Sequence, residues 1–411
     1  MASFTVVRQA KGNGEYEQIS AQAEEYLRNP PQQGVHVVFA EWNMFDRHSS
    51  LRDLLCSNWA YPPMLWTETC RKANGYAGSA RHLQDDNKTV VDSSWFQFLI
   101  KQMGGGVNAS QNKDGYQWYE MGFHIYVRHG GVAVAFCFET PSIFQNNLRQ
   151  ALSATVRTKL LTDPMAALQC LIIGEVVKLY DVSIWTLRNQ IRDIEKRRSG
   201  PEHVALAVDF AQLHDLARHI IHACEIVAVA VDTVTTLTAN HRMSVCGCPD
   251  ATPTQVKPNC PHNEMVFWLG LLQNLGRRAQ SLKERLSNEI NLGYNVVVQR
   301  DTRETVEISK LTAVTTSAAR RDSASMKTIS VVTLAFLPAT FVCTIFSMSF
   351  FTLNVNEETG QKHWLISDRF WIYWVITVPL TILTLVCWSY GQRKEKKSSS
   401  SGETSWKYLG P

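Results

Sequence analysis

From Pro164 onward the apolar residues of this chain recur at intervals of three and four. Val177, Tyr180, Ile184, Leu187, Ile191 and Ile194 form one such series. Leu213, Leu216, Ile220, Ala223, Val227, Ala230, Val234 and Leu237 form a second, and Trp268, Leu272, Leu275, Ala279, Leu282 and Leu286 a third. Sustained heptad spacing marks helices packed along long seams. Arg198-Ser-Gly-Pro201 and the proline-rich Pro249–Pro261 interrupt the pattern, so it predicts three long antiparallel helices. The third meets no proline between His262 and Pro338, although Gly270, Gly276 and Gly293 weaken it. Unbroken over roughly 60 to 90 residues, it would be a rod of roughly 90 to 130 Å.

Ahead of Pro164 there is no long helical period. Gly34–Phe39 is a short apolar run after prolines and reads as a strand. Gly122–Val127 and Val132–Phe138 flank Arg128-His-Gly-Gly131, a hairpin signal. Leu51–Asn58 and Trp95–Met103 read as helices, and Gly104–Gly106 with Asn108–Gly115 as loop. The three glycines lack the Lys-Ser/Thr of a phosphate loop. The region is a mixed α/β domain without a catalytic motif.

Two stretches near the end carry no charge at all: Thr328–Asn356, apolar over Thr328–Phe351, and Phe370–Gln392. Each is long enough for a helix to cross a bilayer, which needs about 20 mostly apolar residues. The second has Trp371, Tyr373 and Trp374 near one end and Trp388 and Tyr390 near the other, the placement of interfacial anchors. Two buried helices of a large core are the alternative. Lys310, Arg320, Arg321 and Lys327 precede the pair and Arg393, Lys394, Lys396 and Lys397 follow it. The connecting segment balances Lys362 and Arg369 against Glu357, Glu358 and Asp368. The positive-inside bias then puts both termini in the cytosol. The expected fold class is an α+β membrane protein. Residues 1–160 form a cytosolic α/β domain, 161–327 a helical coiled-coil stalk, 328–351 the first transmembrane helix, 352–369 an outer loop, 370–390 the second transmembrane helix, and 391–411 a basic cytosolic tail.

Composition narrows the class further. Of 411 residues, 45% are hydrophobic and 19% charged, which argues against wholesale disorder. A net charge of +4 is too small for a nucleic-acid binder held by charge alone. Ten cysteines fall below disulfide-scaffold density, and in a cytosolic region they are expected to be reduced. No signal peptide is evident, and Glu15 and Glu17 argue against a transit peptide, so the plasma membrane is favoured over an organelle membrane.

Met326, Ile329, Thr333, Leu337, Thr340, Thr344 and Ser347 are spaced 3,4,4,3,4,3 and form one stripe of the long helix. In several copies around an axis, the stripe could line a hole. Its hydroxyls are hard donors suited to a Mg²⁺ that keeps most of its water, and Met326, Ile329 and Leu337 could gate by dewetting. From spacing alone a helix-packing seam without a conduit is the favoured reading, because small and hydroxylated residues often line membrane helix contacts.

The segment Met326–Phe351 resembles the first span of the CorA-like divalent-cation channels and transporters. It shares the Met-Lys start, the Phe-x-Pro-x-Thr-Phe core at Phe336–Phe341 and a closing x-Met-x-Phe. The order of parts fits from about residue 165 to 397, and the N-terminal domain matches in class alone. The family closes its span with Gly-Met-Asn, where this chain has Ser347-Met348-Ser349. That variant resembles the CorA-like proteins of filamentous fungi. The resemblance implies pore-lining positions for Met326, Ile329, Leu337 and Thr340 and an ion entrance at Ser347, Met348 and Ser349. It also implies a homo-oligomer of five chains and a cationic collar at Arg393, Lys394, Lys396 and Lys397. Lipid anchoring is the other reading of that collar. Glu357 and Glu358 at the mouth would concentrate divalent cations or be simple solvated loop residues.

Two clusters stand apart. Cys246, Cys248, Cys260 and His262, with His241 nearby, offer zinc ligands, although their spacing matches no standard finger. Asp215, His219 and His222 share one helix face, either a metal sensor or an ordinary polar face. The function expected is a homo-oligomeric divalent-cation channel or transporter, with Mg²⁺ or another divalent cation as cargo rather than cofactor. Zn²⁺, Ni²⁺ or Co²⁺ as cargo, or a non-transporting membrane-anchored scaffold, are the alternatives. The expected partners are copies of itself and membrane lipids, with no nucleic acid. No enzymatic activity is expected.

Overall fold

The computed structural model describes residues 2–9, 16–83, 90–103, 115–155, 160, 162–198, 209–244, 261–346, 351–355 and 362–403. They fall into two compact units, 1–296 and 297–411.

The first unit opens with β1 (Ser3–Gln9), β2 (Tyr16–Gln22), α1 (Ala23–Arg28) and β3 (Gly34–Ala40). Then come α2 (Trp42–Arg47), α3 (Ser49–Trp59), a 3₁₀ turn (Pro63–Trp66) and α4 (Glu68–Arg71). Three strands follow in antiparallel succession, β4 (Gly75–Leu83), β5 (Val90–Met103) and β6 (Tyr116–Arg128), and then β7 (Val132–Phe138) and α5 (Ser142–Ala154). Three long helices come next: α6 (Pro164–Arg198), α7 (Phe210–Ser244) and α8 (His262–Phe346), the last of 85 residues. Beyond α8 lie β8 (Phe351–Val355), β9 (Lys362–Ile366) and α9 (Phe370–Glu403).

Seven strands make one sheet in the order β2-β1-β3-β7-β6-β5-β4, and β3–β7 is its parallel pair. Both faces are covered. On one, Val37, Phe96, Phe98, Ile100, Phe123 and Ile125 share a core with α5, α6 and α7. On the other, Val38, Val134, Phe136 and Phe138 pack against α1, α2 and α3 through Leu27, Phe45, Leu55 and Trp59. Each such fully buried apolar side chain contributes about 1.5–3 kcal/mol. The β6–β7 hairpin forms as its sequence predicts, with Gly130 at φ +76° in the turn.

Trp95–Met103 is a strand, not the helix its sequence suggests. It belongs to β5, with Phe96, Phe98 and Ile100 on one face and Trp95 and Gln97 on the other. Because both faces are covered, polar–apolar alternation is lost and the run mimics a buried helix. Gly78 on β4 makes room for this strand: a Cβ there would lie 2.6 Å from the Trp95 indole.

The predicted heptad residues are the ones the core takes. Every member of the Leu213–Leu237 series is buried, as are Leu272, Leu275, Ala279, Leu282 and Leu286. Their seam is shared with the sheet: the Tyr180 hydroxyl donates to Leu99 O at 2.8 Å and Gln169 Nε2 to Ser94 Oγ at 2.9 Å. The first compact unit runs through α6, α7 and the start of α8. Chain directions alternate. Asp163 and His241 bring the start of α6 to the end of α7, while Glu195 and Arg285 (Nε–Oε1 2.9 Å) align α6 with α8.

Among the described residues, three helices are long and apolar enough to cross a membrane. α7, α8 and α9 have mean hydropathies of 1.6, 1.7 and 2.0 in their apolar windows. Burial separates them, with 44% of the α7 window inside the fold against 11% and 6% for the others. α7 spends its apolar face on the sheet.

Candidate functional site

The C-terminal part of α8 and the apolar part of α9 lie in the second unit and meet along one edge. Val342 is 3% exposed, and the Cys343 thiol lies 3.5 Å from the Tyr373 hydroxyl on α9. The predicted stripe is on the other side. At about 100° per residue, Val342 stands roughly 160° around the helix from Met326. Met326, Ile329 and Leu337 are 69%, 65% and 59% exposed, and Thr333, Thr340 and Thr344 are exposed too. The structure thus brings all six predicted lining residues to one uncovered face of a single chain.

The hydroxyls on this face have a fixed polarity. Thr333 Oγ1 donates to Ile329 O at 2.8 Å, Thr340 to Phe336 O and Leu337 O at 3.0 Å, and Thr344 to Phe341 O at 2.8 Å. Each hydrogen is spent on the helix's own backbone, so each oxygen has only lone pairs left to offer. Such a surface accepts hydrogen bonds from the water around a cation. Pro338 lies inside this stretch, lacks an N–H and frees the carbonyl of Leu334.

The predicted flanks are placed in part. Ser347, Met348, Ser349, Glu357 and Glu358 lie outside the described residues. Arg393 is exposed on α9, which carries the backbone of Lys394, Lys396 and Lys397 as well. Cys246, Cys248 and Cys260 lie outside the described residues. His262 opens α8, with its ring 6.1 Å from that of His241, whose Nδ1 lies 3.6 Å from Asp163 Oδ2. Among the described residues, no group of three His, Cys, Asp or Glu side chains is arranged to hold a metal ion.

Asp215, His219 and His222 do share a face, but it meets a cation. The Lys101 ammonium, on a residue 3% exposed, lies 3.1 Å from His222 Nδ1 and 4.2 and 4.9 Å from the rings of Tyr116 and Trp118. His219 lies against Tyr116 at 4.9 Å and within 3.3 Å of Asp215. Burial pulls the pKa of Lys101 down, with Arg218 adding to the effect. Burial and then Lys101 lower both histidines. A lysine inside this constellation repels a metal, so the sensor reading of these residues fails. The sequence signal for the cage was Tyr116-x-Trp118, which places two aromatics on one face of β6.

No protein-family model matches the chain. Among curated proteins, the notoamide biosynthesis cluster protein M' of Aspergillus versicolor is 28% identical over 317 residues, 71% of this chain. The match spans 61% of that protein's length. Among solved structures, the complete CorA magnesium transporter from Methanocaldococcus jannaschii overlaps 94% of this chain and 97% of its own, at 9% identity and TM-score 0.42. The ZntB cytoplasmic domain from Vibrio parahaemolyticus overlaps 71% and 99%, at 12% identity and TM-score 0.39. The full-length CmaX protein overlaps 95% and 97%, at 11% identity and TM-score 0.41.

Proposed function

We propose that this chain is one subunit of a homo-oligomeric membrane channel or transporter for divalent metal cations, with Mg²⁺ as cargo and the conducting path along the Met326–Thr344 stripe. The observation that carries the reading is the position of that stripe, opposite the face α8 turns to α9. Two spans enclose no water path, so the exposed face needs other copies of the chain, and closed cyclic symmetry is the usual solution for identical subunits. The resemblance of Met326–Phe351 to the CorA-like span supports five copies, the basic residues flanking the two spans support both termini in the cytosol, and Glu15 and Glu17 favour the plasma membrane over an organelle membrane.

Mg²⁺ sheds its water reluctantly, and the hydrogens of that water point outward. Threonines whose own hydrogens are already donated meet the shell with acceptors, favourable for a hydrated cation and unfavourable for an anion. The apolar ring positions at Met326, Ile329 and Leu337 would close the path by dewetting. Glu357 and Glu358 would gather cations at the outer mouth, and Arg393 with its neighbouring lysines would oppose them at the inner end.

Ion flux into liposomes bearing the purified chain tests this, with Mg²⁺, Zn²⁺, Co²⁺ and Ni²⁺ compared. Flux of a divalent cation that exceeds that of protein-free liposomes is expected, and its absence for all four ions sinks the reading. The Ser347-Met348-Ser349 triplet favours a second reading, a membrane-anchored scaffold that has lost transport, and absent flux together with intact oligomers would select it.

A further inference from the structure

The connection between α7 and α8 carries chemistry that cation conduction leaves unused. It holds Cys246, Cys248 and Cys260, with His241 and His262 at its flanks. The fold brings those flanks together. His241 stands in the last turn of α7 and His262 opens α8, with ring centres 6.1 Å apart and 23° between their planes. Two imidazoles on one tetrahedral zinc, each nitrogen about 2.0–2.1 Å from the metal, have ring centres about 5–6 Å apart. Contacts with α6 hold the start of α8 in place without any metal. The Cys170 thiol donates to Pro261 O at 3.5 Å, and Met265 is fully buried against Ala166 and Cys170.

Two polar atoms at this junction are buried without a hydrogen bond, His262 Nδ1 and Asp163 Oδ2. Such atoms are rare in a folded interior and mark places where a further group binds. Asp163 Oδ1 caps α6 by accepting the Ala166 N–H at 3.1 Å, while Oδ2 faces His241 Nδ1 at 3.6 Å. A carboxylate behind a histidine is the common support of a metal-bound imidazole, because it fixes the tautomer and directs Nε2 to the metal. Asp163 and His241 also line a cavity of about 690 Å³, which gives an ion a way in.

These three residues are not a complete ligand set. They amount to two ligands and one support, and the chain supplies the rest. Two residues of backbone span at most about 7 Å, which ties Cys260 to His262 and Cys246 to Ser244 at the end of α7. Thiolates are zinc ligands, and two of them cancel the charge of the ion.

We infer that a structural zinc ion closes the α7–α8 hairpin, ligated by His241, His262 and two thiolates from Cys246, Cys248 and Cys260, with Asp163 positioning His241. The site belongs to the first unit and stands whether or not the chain conducts ions.

The full detergent-solubilised chain, kept in a non-thiol reductant, is loaded with Zn²⁺, desalted and analysed for metal, and its absorption is recorded after Co²⁺ replaces the zinc. One zinc per chain and a sulfur-to-cobalt charge-transfer band are expected. The Met326–Thr344 stripe offers hydroxyls and no thiol, so cargo bound there gives no such band. A Cys246→Ser/Cys248→Ser/Cys260→Ser variant should lose both signals. Asp163→Asn keeps an oxygen to cap α6 and removes the carboxylate, so it should fold and weaken zinc about 10–100-fold in chelator competition. A parent chain without the sulfur–cobalt band overturns the inference, and so does a triple variant that keeps its zinc. Unchanged zinc affinity in Asp163→Asn overturns the positioning role of Asp163.

Discussion

Lys101 shows how a single residue sets the electrostatics of its surroundings. Held against Tyr116 and Trp118 and beside His222, it adds to the burial that lowers the pKa of His219 and His222 on α7. His124 is a stronger case: fully buried, with Nε2 2.8 Å from Trp59 O, its pKa is pushed down to about 4. All three histidines bind protons less readily folded than unfolded, where the ordinary value is about 6.5. The unfolded chain therefore takes up more protons as pH falls below 6.5, and stability drops with it. The sheet unit should have its full stability above pH 6.5 and lose it progressively between 6.5 and about 4. His124 alone would account for about 3 kcal/mol across that window. Denaturant unfolding at pH 7.5 and pH 5 measures this. A Lys101→Met variant should flatten the slope in part, since His219 and His222 lose the charge repulsion while burial still lowers them, and an unchanged slope would show that Lys101 adds nothing to the burial effect. The sequence reading placed Asp215, His219 and His222 on one face correctly. It missed Lys101 because the lysine lies more than a hundred positions away on β5, where spacing along α7 says nothing.

At the scale of elements, periodicity was informative where one face alone was buried. The heptad positions of α7 and α8 point inward because their other face is polar, and that contrast is visible along the chain. β5 lacks the contrast, since α6 and α7 cover one side and Trp95 packs over Gly78 on the other. Gly78→Val should test that packing. With a Cβ 2.6 Å from the indole, something must shift, and a loss of about 1–3 kcal/mol is expected in the same unfolding assay. An unaffected variant would mean that Trp95 is free to move. The stripe on α8 makes a separate prediction. Thr340→Val keeps shape and removes the acceptor oxygen, whereas Thr340→Ser keeps the oxygen. One lost hydrogen bond of about 1 kcal/mol corresponds to roughly fivefold. Liposome flux should fall by at least that factor in the valine variant and persist in the serine variant. Equal flux in all three proteins would show that hydroxyls at this position do not touch the ion's water.

At the scale of the whole molecule, the two uncharged stretches and their basic flanks were plain in the sequence, and the exposed faces of α8 and α9 agree with them. Composition alone could not tell α7 from a span, because hydropathy does not record what covers a helix. The number of copies is not written in one chain. Mass measurement of the detergent-solubilised protein should find a closed oligomer, and a strict monomer at every concentration would remove the conducting path. Selectivity in that oligomer should turn on Ser347-Met348-Ser349. Ser347 has a Cβ and resists the left-handed backbone that ends a helix at glycine. Ser349 offers one short oxygen where the resembled family has a carboxamide. Both differences loosen the hold on a hydrated ion, so discrimination among hydrated divalent cations should be weak. Changing the pair together, Ser347→Gly and Ser349→Asn, should raise the preference for Mg²⁺ over Co²⁺ in the liposome assay. An identical Mg²⁺ to Co²⁺ ratio in parent and double variant would move the selective element to the threonines of the stripe, where the Thr340→Val measurement already looks for it.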